Sequence, residues 1–156
     1  MMLKIKQKTH IIMKNIISFF AFLYCSFVIL SASAQEIPLT EAPENAVLYF
    51  IEPANLETVS SPVVIKFGLI NMGVAPAGVN LANTGHHHLL IDLEELPAFD
   101  APLPANDNVR HFGLGQTETT LSLPSGEHTL QLVLGDWLHI PHNNPLVSEK
   151  ITIIVE

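Results

Sequence analysis

Gly85-His86-His87-His88-Leu89-Leu90-Ile91-Asp92 sets three imidazoles directly against an apolar run that ends in a carboxylate. A short apolar run with Gly before it and an acid after it reads as a buried β-strand. The stretch therefore predicts a loop that feeds its histidines into a strand over residues 87–93. Side chains alternate along a strand. If His87 shares a face with Leu89 and Ile91, then His86 and His88 project together on the other, beside Leu90 and Asp92. The pattern marks neither face as polar, and the pair His86 and His88 is favoured.

Outward from this stretch the chain reads as β throughout. Short runs separated by Pro, Gly and Asn clusters predict strands over 47–51, 62–69, 109–112, 117–123, 128–135 and 147–155, with no helical period of convincing length. Thr117, Thr119, Leu121 and Leu123 alternate, as do His128, Leu130, Leu132 and Leu134 beyond the turn Pro124-Ser125-Gly126-Glu127. Residues 70–85 form a long loop rich in Asn and Gly, and residues 96–108 are Pro-rich and irregular. About seven strands at this spacing imply an all-β fold, an immunoglobulin-like antiparallel β-sandwich over residues 46–156. In such folds the turn before the penultimate strand often carries a Tyr that ties down the corner. His128 stands in that place and is assigned a structural role.

Residues 1–34 have the layout of a signal peptide. Lys4, Lys6, Lys8 and Lys14 precede the apolar run 16–30, and Ala32-Ser33-Ala34 supplies a small-residue cleavage site. Cleavage after Ala34 is expected, with Met1 or Met13 as the start. A spanning helix needs about 20 apolar residues, and this run is shorter, so no membrane span is expected in the mature form. Residues 35–45 follow as a mobile leader. Export points to the periplasm or the exterior.

The exported part keeps Lys66, Arg110 and Lys150 against all fifteen acids, a net charge of −12 with neutral histidines. That balance argues against nucleic acid as a partner and favours cations. Cys25 lies inside the signal, so the exported part has no disulfide, no zinc–thiolate site and no cysteine nucleophile. G-x-S-x-G, H-E-x-x-H, P-loop and dinucleotide fingerprints are all absent. An enzyme is the least favoured class, and no organic cofactor is expected.

Strand direction in a sandwich assigns each loop to one of two poles. Residues 70–85, 111–116 and 136–145 fall at the same pole, which gathers His86, His88, His111, His139 and His142 with Asp136, Glu118 and Met72. Neutral imidazole is the commonest metal ligand in proteins, and several from different loops on a rigid scaffold make a plausible ligand set. The expected site is His86, His88, His111, His139 and His142 in some subset. Asp136 or Glu118 would serve as a ligand or as an acceptor that holds an imidazole in its tautomer. A carrier or storage protein for a metal ion is the function this implies. The alternative is a cell-envelope interaction module whose histidines are a hydrogen-bonded loop scaffold. Trp137, Phe112 and segment 96–108 would then contact a protein or glycan partner.

Several of these stretches together resemble one bacterial family. They are the run 63–67, Gly73-Val74-Ala75-Pro76-Ala77-Gly78, Asn83-Thr84-Gly85-His86-His87-His88-Leu89-Leu90-Ile91-Asp92, His111-Phe112-Gly113-x-Gly115-Gln116-Thr117-Glu118, and Leu132-Val133-Leu134-Gly135-Asp136-x-x-His139-x-Pro141-His142. They are similar to the family known as domain of unknown function 4399 (DUF4399), over nearly all of residues 47–156. The resemblance implies an exported, single-domain protein without an assigned activity. A looser likeness is to small periplasmic copper carriers of the CopC type, cysteine-free β-sandwiches with histidines at one end. That likeness makes copper the first choice of metal and zinc the second. Divalent copper binds nitrogen sites more tightly than other first-row divalent ions, and Met72 offers a soft ligand for the cuprous state.

Overall fold

A computed structural model of the protein describes residues 39–156. The expected signal peptide and its cleavage after Ala34 lie outside the described residues. Among those described, no helix is long and apolar enough to cross a membrane. Nine β-strands and no helix make up the described chain.

The strand that organises the rest is β5, Thr84–Ile91. It is paired on both edges. Along one runs β8, Gly126–Gly135, antiparallel and in a register that sets His86 against Gly135 and Ile91 against Leu130. The other edge is shared between β4, Gly73–Val74, which pairs parallel at Thr84 and Gly85, and β6, Val109–His111, which pairs antiparallel from His88 to Leu90. All three histidines of the triplet thus lie inside the strand, not in a loop that feeds it. The backbone of residues 84–86 has sheet partners within reach, and buried N–H and C=O groups take such partners wherever they can.

Beyond β8 lies β9, Ile151–Val155, and beyond that β2, Glu57–Val59, running parallel to β9. These six strands form one sheet. The second sheet has three, in the order β1, β3, β7, with β1 as Val47–Glu52, β3 as Val63–Ile70 and β7 as Glu118–Leu121. The fold is all-β as expected, but it has two parallel pairings and two short strands, β2 and β4, that the sequence did not announce. Gly73-Val74 carries only two residues of pattern, too few to register. The last strand starts at Ile151, later than expected, because residues 146–148 instead bond across to Leu132 and Leu134 of β8.

Alternation decides what each face meets. Leu48 of β1 and Ile65 and Phe67 of β3 pack in one apolar cluster with Leu89 and Ile91 of β5, Leu130, Leu132 and Leu134 of β8, and Ile153 of β9. Each such side chain withdrawn from water contributes about 1.5–3 kcal/mol. The other face of the six-stranded sheet presents Leu90 of β5, Val109 of β6 and Val133 of β8, which Phe99 and Leu103 of the Pro-rich segment cover. That segment is therefore a lid on the sheet. Residues expected to form a mobile leader also make contacts: Ala42 is buried in the main cluster, and the Thr40 carbonyl accepts from the Asn143 amide at 2.8 Å.

His128 ties down the corner it was assigned. Its Nδ1 meets Asp92 Oδ2 at 2.8 Å and its Nε2 meets the Pro124 carbonyl at 3.0 Å. Both partners only accept, so both ring nitrogens donate and the ring is best served as imidazolium. Burial opposes that charge. The hydrogen bonds to Asp92 and Pro124 and the Asp92 charge outweigh it, and the pKa is raised above 6.5. A raised folded-state pKa gives stability that is complete below 6.5 and is lost as pH rises through the folded value. At about pH 6, His128→Ala is expected to cost roughly 1–2 kcal/mol, the low end for a charged hydrogen bond because Asp92 is partly in solvent. Urea unfolding of both proteins should show that gap narrowing toward about pH 9. A gap that widened with pH would reject the imidazolium.

Candidate metal centre

Register brings the first two imidazoles together. His88 and His111 face each other across β5 and β6, their rings stacked with centroids 5.1 Å apart. Two residues earlier on the same face of β5 stands His86, 4.8 Å from His88 and 5.0 Å from His111 between ring centroids. The fourth ring comes from the loop after β8. His139 lies 4.6 Å from His111 and 5.0 Å from His86. One nitrogen from each of His86, His111 and His139 lies within 4.8 Å of the others. Metal–imidazole bonds of about 2.0–2.1 Å require those nitrogens to draw in by roughly an ångström, a small rotation of each ring. His86 is fully buried, His139 is partly exposed and His111 is exposed, so the group opens to solvent at His111.

The loop that carries His139 is built around Asp136. Its Oδ1 accepts from the amides of Leu138 at 2.8 Å and Ile140 at 3.0 Å, and its backbone bonds to His139 and Ile140 close the same turn. His139 is thereby held at φ 69°, a left-handed conformation that a residue with a Cβ keeps only when its surroundings impose it. The Leu103 amide donates to the His139 carbonyl at 2.8 Å and pins the turn from the lid segment.

Glycines leave room for two of the rings. A Cβ on Gly113 would overlap the His111 ring, and one on Gly135 would stand 2.8 Å from His88 Cε1 and 3.3 Å from the His139 carbonyl carbon. Gly135→Ala must therefore push His88 and His139 aside. An expected loss of about 1–3 kcal/mol should be measurable by urea unfolding of the metal-free domain, and unchanged stability would reject this close packing.

Both nitrogens of His86, of His87 and of His88, and Nε2 of His142, are buried with no hydrogen-bond partner among the described residues. An unmet buried polar group costs about 1–3 kcal/mol. Burial, and then repulsion from His111 and His139, lowers the His86 pKa to about 4. His88 is lowered to about 3 by burial and then by His86, His111 and His139. His111 is lowered too, by burial and then by His139. His86, His88 and His111 are therefore neutral at pH 7, and each presents a lone pair. His87 stands on the opposite face of β5, its ring 5.1 Å from that of Phe67 in the inter-sheet core, and burial lowers its pKa to about 4 against a raising contact from the Gln116 backbone. Parity thus sorted the triplet as expected.

Of the six candidate ligands, His86, His88, His111 and His139 come together. Asp136 and His142 do not join the group whose nitrogens converge. Asp136 spends its oxygens on the loop and on the Thr40 hydroxyl, 3.1 Å from Oδ2, and the same hydroxyl meets His142 Nδ1 at 2.7 Å. Asp136 therefore sets the orientation of an imidazole through Thr40, and the ring is that of His142. Glu118 lies in register with Lys66 on the three-stranded sheet, and Met72 packs against the inter-sheet core. Phe112, expected as a contact surface, is buried with its ring 4.9 Å from Phe67. Thr40 went unnoticed in the sequence, and so did the part that Gly113 and Gly135 play in seating the rings. The glycines stand beside His111 and Asp136 in the family motifs but carried no role of their own there, and no local signal singles out Thr40.

A family model described as domain of unknown function (DUF4399) matches residues 65–156. No match was found among curated proteins or among solved structures.

Proposed function

The chain belongs to the DUF4399 family, and from its own side chains we propose that it binds a transition-metal ion through His86, His111 and His139, with His88 as the fourth imidazole. The observation that carries this reading is the set of unpartnered buried imidazole nitrogens beside three that converge. A hydrogen-bonded scaffold would have used its rings as donors and acceptors; the nitrogens of His86 and His88 meet no such partner among the described residues, which favours an ion over the scaffold alternative. The group holds only nitrogen donors. Such a set suits divalent copper first and zinc second, and no thiolate is present to favour softer chemistry.

The exposed edge at His111 gives an ion a way in and out, which fits carriage or storage in the periplasm or outside the cell, where the export signal would deliver the protein. The two sheets around one core and the His128 corner support an immunoglobulin-like sandwich as the scaffold. The test is elemental analysis of the domain purified without a polyhistidine tag, followed by titration with copper and zinc. Equimolar uptake is expected, tighter for copper. No uptake at micromolar metal would overturn the reading.

A further inference from the structure

Thr40 stands 96 residues before Asp136 in the chain, yet its side chain completes the loop that carries His139. Its hydroxyl has one proton. Nδ1 of His142 approaches the oxygen at 2.7 Å and Asp136 Oδ2 lies at 3.1 Å. A carboxylate can only accept, so the Thr40 proton goes to Asp136 and the Thr40 oxygen accepts from His142 Nδ1. This assignment is the same whether His142 is neutral or charged.

Asp136 is 2% exposed, and Thr40 is the only hydrogen-bond partner of its Oδ2 among the described residues. The opposite oxygen holds the amides of Leu138 and Ile140, the residues on either side of His139. Thr40 is itself held to the domain by the bond from the Asn143 amide to its carbonyl, and its neighbour Glu41 accepts from the Asn143 side chain at 3.0 Å. One strap from the start of the domain thus anchors the carboxylate that shapes the turn.

We propose that Thr40 is a positioning residue for the metal centre: through Asp136 it holds His139 in the left-handed conformation that aims its ring at His86 and His111. The proposal rests on the metal reading above. Without the hydroxyl, Asp136 Oδ2 and His142 Nδ1 are both left buried and unmet. Asp136 then turns to find another partner, the bonds to Leu138 and Ile140 loosen, and the strain at His139 relaxes. A ligand that wanders costs affinity even though every imidazole is still present.

The test compares Thr40→Val, which removes the hydroxyl at nearly constant shape, with Thr40→Ser, which keeps it. Copper titration should show affinity reduced about 10–100-fold in Thr40→Val and restored in Thr40→Ser. The electron paramagnetic resonance spectrum of the Thr40→Val copper complex should move toward that of His139→Ala. In the metal-free proteins, hydrogen exchange at the Leu138 and Ile140 amides should quicken in Thr40→Val alone, which reads the strap without any ion and also reports whether the variant is folded. Wild-type affinity and spectrum in Thr40→Val would overturn the role of Thr40 and leave the metal site standing. Wild-type protein that takes up no copper would overturn both, whatever the exchange rates show about the turn.

Discussion

Replacing His86 and His139 together by Ala is expected to lower copper affinity by at least about 100-fold, since loss of a group that merely orients a ligand already costs 10–100-fold and these two would be ligands. The pair is chosen for its geometry. His86 supplies the buried side of the group and His139 the loop side, and without both only His111 remains of the three nitrogens that converge. Competition titration against a chelator of known affinity would measure the change. The same variant should lose the metal-induced rise in melting temperature. In the wild type, ion at a hundred times Kd adds about 2.7 kcal/mol, on the order of 10 °C for a domain of this size.

His128→Ala is the control. It stands at another corner, bonded to Asp92 and Pro124, and should lower stability with copper affinity unchanged. Undiminished copper affinity in the double variant would sink the assignment of these rings. A loss in His128→Ala as large as in the double variant would show that affinity tracks stability alone.

Acid should unfold the metal-free domain. His86 and His87 titrate at about 4 and His88 at about 3 in the folded protein, against 6.5 when unfolded. Below pH 6.5 the unfolded chain takes up protons that the folded one refuses, so the stability these groups contribute is present above 6.5 and is lost as pH falls toward 4 and then 3. Each proton of difference tilts the balance by about 1.4 kcal/mol per pH unit, so three approach roughly 4 kcal/mol per unit. From pH 6.5 to 4 that removes up to about 9 kcal/mol, so a domain in the lower part of the ordinary range of about 5–15 kcal/mol is expected to unfold before about pH 4. Circular dichroism across an acid titration would follow this. A bound ion should delay the transition until protons displace it. A folded domain at about pH 3, with all three rings charged, would contradict their burial. The same titration run upward separates His128, whose contribution fades on the alkaline side.

Local pattern was enough for part of this protein. The apolar run after the triplet determined a buried strand, and the period of two along it determined that His86 and His88 share one face while His87 shares the other with Leu89 and Ile91; which face meets the inter-sheet core it did not mark. Both follow from the geometry of one strand and need no knowledge of its neighbours. The corner role of His128 was also legible, because a ring four residues past Pro124 can reach its carbonyl within a single turn.

Register was not legible. That His88 meets His111, and that the triplet lies wholly inside a strand, depends on which residues pair across a sheet. Pairing is decided by packing of the whole core and not by either partner. The fate of Asp136 belongs with these. A carboxylate beside two histidines reads as a ligand in the chain, but burial gave it amides of its own loop and the hydroxyl of Thr40, close in space and remote in sequence. Which buried donor answers which acceptor is settled only when the sheets have closed around them.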